Sequence, residues 1–205
     1  GLLRPFDAYN LVKNLKETIE IPVHMQTHAT TGMSAATNMK AIEAGIDNID
    51  TSISSLSMTY GHSATETMLA IFEDQDREII LDLEALEEVS KFFRNIRKKY
   101  SEFEGGLKGV DSSMLVKQVP GGMLSNLESQ LRANKQEDKI DLVKDEIPKV
   151  RKDFGYPPLV TPASQIVGAQ ALLNVMSATR YENLSNESIN LITGKYGELP
   201  GQISS

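Results

Sequence analysis

Apolar residues recur at helical spacing from Pro5 to Lys16, where Phe6, Tyr9, Leu11, Val12 and Leu15 stand among polar residues. The next stretch, "IEIPVHMQTHATTG", breaks that period. Pro22 disfavours a helix, Ile21 and Val23 favour a strand, and Thr-Thr-Gly reads as a loop. The pattern predicts a strand over 21–28, then a helix over "MSAATNMKAIEAG" that stops at Gly45, a residue suited to a left-handed cap. Ile46, Ile49 and Ile53 alternate with polar residues and predict a second strand followed by a long loop. "SATETMLAIFE" predicts a further helix with Ser63 as its cap.

Helix and strand thus alternate over the first 75 residues, the pattern of a parallel sheet or barrel. After Asp76 the pattern changes. "LDLEALEEVSKFFRNIRKKY" is one long amphipathic helix, with acids early and bases late to match the helix dipole. Helical segments follow near 123–134, 138–153, 162–177 and 185–194. The fold class read from these signals is α/β over residues 1–75, then a mainly helical domain over 76–205.

Composition narrows the function. The chain has 205 residues, 40% hydrophobic and 24% charged, as a globular protein does. Its net charge is −7 and no basic stripe interleaves with aromatics, which argues against nucleic acid as a partner. It has no cysteine, so disulfides and thiolate metal sites are excluded, and this fits a cytoplasmic setting. No apolar run approaches a membrane span. The start "GLLRPF" has no Met and runs at once into an amphipathic segment, as in a piece of a longer protein.

Candidate chemistry centres on the predicted first strand. His24 and His28 are four residues apart. On a helix they would share a face, but the zinc-protease pattern needs Glu after the first His, where Met25 stands. On a strand they start roughly 13 Å apart and cannot share one ion. There, His24, Gln26 and His28 form one column, with Met25 and Thr27 on the other face. Three readings stay open: an ion shared by Gln26 and His28, one shared by His24 and Gln26, or a hydrogen-bonded polar column. A Gln amide oxygen is a weak, hard ligand beside imidazole. Further on, Thr161 before Pro162 reads as a helix cap with Pro in the first turn. Three look-alikes are set aside: Met39-Lys40 is an ordinary helix stretch, "RNIRKK" a solvated helix face, and Gly121-Gly122 a turn before a helix.

"IPVHMQTHATTG", "KAIEAGIDNIDTSISSLSMTYGHSATETM", "QVPGGMLSNLESQLRANKQEDK", "EIPKVRKDFGYPPLVTPASQIVGAQALLNVM" and "GKYGELPG" together resemble the carboxyltransferase domain of biotin-dependent enzymes. That family includes the B-type subunit of pyruvate carboxylase, the oxaloacetate decarboxylase alpha subunit and the transcarboxylase 5S subunit. The resemblance covers nearly the whole chain. It implies a C-terminal portion of the domain: the last two βα units of a TIM-type (β/α)8 barrel over 1–75, then the helical domain over 76–205.

The implied function is transfer of a carboxyl group between carboxybiotin and pyruvate or oxaloacetate through a metal-stabilised enolate. The resemblance implies biotin on a separate carrier domain or subunit, and zinc, manganese or cobalt in the complete enzyme. It implies a homo-oligomer, and in some parents membrane sodium-pump subunits as partners. The family's His-x-His falls on positions 26 and 28, so His28 matches and Gln26 replaces a His. An Asp and a carbamylated Lys from strands outside this sequence complete the family's site. Thr161 matches the residue that shuttles a proton between biotin and the pyruvate methyl carbon. Ser164 matches a biotin-binding position, and Gln165 stands where Lys is common. The alternative is a catalytically incomplete structural or oligomerisation module.

Overall fold

The computed structural model describes residues 1–73 and 80–204. Two compact units divide the chain, Gly1–Ser112 and Ser113–Ser205. The sequence boundary between 75 and 76 falls outside the described residues.

In the first unit, helix α1 (Pro5–Thr18) leads to strand β1 (His24–Met25), helix α2 (Ser34–Glu43), strand β2 (Asn48–Ile49), helix α3 (Thr65–Phe72) and helix α4 (Leu83–Lys99). Strands β1 and β2 are parallel, with His24 opposite Asn48 and Met25 opposite Ile49. Ala8 and Val12 of α1 are buried, as are Thr37, Asn38 and Ala41 of α2, and the two helices pack together. The Lys16 ammonium meets Asp47 at 2.8 Å, while Asp47 also accepts from the Val23 amide at 2.6 Å. That carboxylate fastens the end of α1 to the start of the sheet.

Several boundaries differ from the sequence reading. The strand expected over 21–28 is paired only at His24–Met25, because its one neighbour pairs only at Asn48–Ile49 before turning into a 3-10 segment at Ser54–Leu56. Exposure still alternates beyond the pairing: Gln26 is exposed, Thr27 buried, His28 half-buried and Ala29 buried. Ser63 does not cap α3. Ala64 holds that position, and the Ser63 hydroxyl donates instead to Ser34 Oγ at 2.8 Å. Gly45 has φ +90°, as its place after α2 requires.

Helix α4 starts on Asp82, whose carboxylate accepts from the Glu84 and Ala85 amides. It packs on the 3-10 segment, with Ser54 Oγ 2.8 Å from Ser90 Oγ and Arg97 donating to the Ser55 carbonyl. The "RNIRKK" face therefore includes a structural arginine, paired also with Glu104 at 2.6 Å.

The second unit comprises α5 (Ser113–Lys117), α6 (Gly121–Ala133), α7 (Ile140–Asp153), α8 (Ala163–Met176) and α9 (Asn186–Ile192). Its core is Met114, Leu124, Leu131, Val143, Ile147, Val150 and Val167, all nearly inaccessible to water. Each such side chain contributes about 1.5–3 kcal/mol by burial. Gly121 and Gly122 belong to the first turn of α6 rather than to a turn before it.

Candidate active site

The candidate residues fall in both units. In the first, the segment after β1 runs beside the loop that follows β2. The Ala29 amide donates to the Gly61 carbonyl at 2.8 Å. On one side of that bond, His28 Nδ1 lies 2.6 Å from the Tyr60 carbonyl; on the other, His62 Nδ1 lies 3.0 Å from the Thr27 carbonyl. A carbonyl only accepts, so each Nδ1 carries a proton. The ring centres are 5.1 Å apart and the planes 26° apart. Burial pushes the His28 pKa below 6.5, and the neighbouring His62 adds to that, although the Tyr60 hydrogen bond opposes it.

His24 takes no part in this arrangement. It is exposed, and its Nε2 meets Asp50 Oδ1 at 2.7 Å. Gln26 lies on the same open face. Among the described residues, no three or more His, Cys, Asp or Glu side chains gather where one ion could be held. The donors present do not close a divalent-metal site by themselves.

In the second unit, Thr161, Ser164 and Gln165 come together at the start of α8. Thr161 is not the cap expected from sequence. Pro162 occupies the cap position in helical conformation, and no side chain caps the helix. The Thr161–Pro162 peptide bond is cis. The first turn closes through backbone bonds from the Ser164 amide to the Val160 carbonyl and from the Gln165 and Ile166 amides to the Pro162 carbonyl. Thr161 is exposed and its hydroxyl is uncommitted to the helix, while Ser164 is buried. Gln165 lines a groove of about 480 Å³ between α6 and α8 with Asn126, Gln130 and Gly168.

Sequence reasoning misses His62. It is the third histidine of the chain, 34 residues from His28, and no local spacing links the two. Only pairing of the two loop segments brings the rings together.

A parallel βα pair joined to a helical unit defines an α/β-plus-α protein, and family comparison makes the class specific. Residues 1–93 match the HMGL-like family, and residues 114–205 match the family described as a conserved carboxylase domain. The chain belongs to the biotin-dependent carboxyltransferase family, with the B-type subunit of pyruvate carboxylase and the transcarboxylase 5S subunit. It is 45% identical over 205 residues to the B-type pyruvate carboxylase subunit of Methanocaldococcus jannaschii, covering 100% of this chain and 36% of that protein. It is 45% identical over 202 residues to the methylmalonyl-CoA carboxyltransferase 5S subunit of Propionibacterium freudenreichii, covering 98% of this chain and 40% of that one. The solved carboxyl transferase domain of Rhizobium etli pyruvate carboxylase with pyruvate and biocytin superposes with a TM-score of 0.88 at 30% identity. That match covers 98% of this chain and 35% of the solved one. The chain therefore spans little more than a third of the relatives it matches.

Among the described residues no helix is long and apolar enough to cross a membrane.

Proposed function

We propose that this chain forms part of an enzyme that moves a carboxyl group between carboxybiotin and pyruvate or oxaloacetate. In this reading residues 1–75 are the last two βα units of the (β/α)8 barrel, and residues 76–205 are the adjoining helical domain. Biotin, held on a separate carrier domain, supplies the activated carboxyl group when bound. Thr161 Oγ1 passes a proton between the biotin ring nitrogen and the methyl carbon of the 2-oxo acid. Ser164 and Gln165 orient the ureido ring. The divalent-metal site of the complete enzyme requires donors beyond those that Gln26 and His28 offer.

The observation that carries the proposal is the free hydroxyl of Thr161. It is exposed at the head of α8 and uncommitted to the helix end, so it can accept and donate a proton without breaking local structure. The test replaces Thr161 in a complete carboxyltransferase containing this chain. Thr161→Val keeps the shape and removes the hydroxyl. It should leave stability near wild type and slow carboxyl transfer by about 10²–10⁴-fold, the range for loss of a positioned proton carrier. Thr161→Ser should retain most of the activity. Near wild-type turnover in the Val variant would remove Thr161 from the mechanism.

A further inference from the structure

We propose that Gln170 and Asn174 are positioning residues for carboxyl transfer: they fix the register and rotation of α8 and thereby place Thr161 and Ser164 at its head. The proposal rests on the carboxyltransferase reading of that head and makes a separate claim about what holds it.

The head of α8 has little directional support of its own. No side chain caps the helix, and its first turn closes through backbone bonds from the Ser164, Gln165 and Ile166 amides. Much of its buried surface is apolar, including Ile166, Val167 and Ala171. At Gly168 a Cβ would lie 3.2 Å from Met123 Cγ, so α6 runs close to a stretch of α8 that presents no side chain. Apolar contacts have no direction, so they fix where a helix lies better than how it is turned about its axis. Turning matters here. A rotation of about 10° carries an atom on the surface of a helix, about 5–6 Å from the axis, through about 1 Å.

The second half of α8 supplies the direction. Gln170 is fully buried and Asn174 nearly so. Gln170 Nε2 donates to the Asn183 carbonyl at 2.8 Å and to Asn174 Oδ1 at 3.1 Å, and its Oε1 accepts from the Ser188 hydroxyl of α9 at 2.9 Å. Asn174 Nδ2 donates to Glu146 of α7 at 2.9 Å, and its Oδ1 also accepts from the Tyr181 amide at 3.1 Å. These bonds tie α8 to α7, to the segment at 181–183 and to α9. Glu146 and Ser188 are themselves buried, so sliding or turning α8 would strand polar groups away from water. A stranded buried group costs more than its hydrogen bond contributes. Ser164 and Gln170 belong to the same helix, roughly 9 Å apart along its axis, so fixing one fixes the other.

The test uses a complete carboxyltransferase containing this chain. Gln170→Met keeps the length of the side chain and removes its carboxamide. The folded variant should lose about 10²-fold in kcat, the effect of a misplacement of about 1 Å, with the KM for pyruvate within about twofold. The loss should be much smaller in a Thr161→Val background, where the misplaced hydroxyl is already gone. Hydrogen exchange should quicken at the amides of residues 164–166 more than at those of residues 124–131 in α6. Ser188→Ala deletes a single bond to Gln170 and should show the same pattern, with kcat lower by about threefold to tenfold. It decides the matter if Gln170→Met does not fold. Wild-type kcat in folded Gln170→Met, or in Ser188→Ala where only that variant folds, would overturn the proposal. So would equal losses with and without the Thr161 hydroxyl, or exchange that quickens equally in both helices, since either reports a general loosening of the unit. Wild-type turnover in Thr161→Val alone removes Thr161 from the mechanism, and exchange at residues 164–166 then decides the claim about α8.

Discussion

Burial holds the His28 imidazole below its ordinary pKa of 6.5, and the adjacent His62 adds to the effect against the Tyr60 hydrogen bond. The folded chain therefore binds this proton more weakly than the unfolded chain does. Above 6.5 both states are neutral at this ring, and its contribution to stability is complete. Below 6.5 the unfolded state takes up the proton first, so stability falls as the pH drops towards the folded value. Proton NMR of the metal-free chain should give a His28 midpoint below 6.5, and His62→Ala should move it upward. A midpoint at or above 6.5 in the wild type would contradict the burial described. At this scale His28 is legible in the sequence but its partner is not, because the Tyr60 and Thr27 carbonyls that fix the rings belong to loops distant in sequence. Thr161 is legible as a residue at a helix start, with the cap misplaced by one residue. Sequence shows that a hydroxyl precedes a proline, but not which of the two enters the helical region first.

Among the elements, helices are the most legible. Periodicity locates α1, α2, α4, α7 and α9 because each buries one face on a neighbour, while α8, buried over most of its length, packs on α6, α7 and α9. The strands come out too long, because alternation of side chains reports extended backbone, while a strand also needs a paired neighbour. The short α5 has too few residues to show a period. The end of α7 shows what periodicity leaves out. Gly155 follows it with φ +76°, and a Cβ there would meet the Gly201 carbonyl oxygen at 2.5 Å. That oxygen belongs to a tight backbone crossing in which the Gly201 amide donates to the Gly155 carbonyl. Gly155→Ala combines left-handed strain with a backbone clash that no side-chain movement relieves. It should cost about 2 kcal/mol or more, read by urea unfolding. A change below about 0.5 kcal/mol would show that residues 199–201 move aside at little cost.

Across the helical unit as a whole, a polar network joins segments that no periodicity or spacing connects. The buried Glu146 of α7 accepts from Asn174 of α8 at 2.9 Å and from Arg180 Nε at 2.6 Å. Arg180 continues to Asp153 Oδ2 at 2.8 Å, which also accepts from the Tyr181 hydroxyl at 2.7 Å. Ser204 reaches the other Asp153 oxygen at 3.1 Å, and its amide donates to the Asp153 carbonyl, so the end of the chain is tied to α7. Burial alone would raise the Asp153 pKa, but the hydrogen bonds from Tyr181, Arg180 and Ser204 outweigh it and lower the value below 3.8. Asp153 thus adds stability in full above 3.8, and that contribution is lost as the pH falls through the folded value. Asp153→Asn keeps the size and one acceptor oxygen but turns an NH₂ group towards a donor. At neutral pH it should cost about 1.5–3 kcal/mol, the range for hydrogen bonds to a charged group. Its unfolding free energy should also lose part of the wild-type decline in acid. Tyr181→Phe separates the two effects, since it removes one donor and leaves the carboxylate. That variant should lose less stability at neutral pH and retain a decline in acid, with the Asp153 pKa nearer 3.8. If Asp153→Asn matches wild type in both stability and acid profile, the network does not hold this unit together.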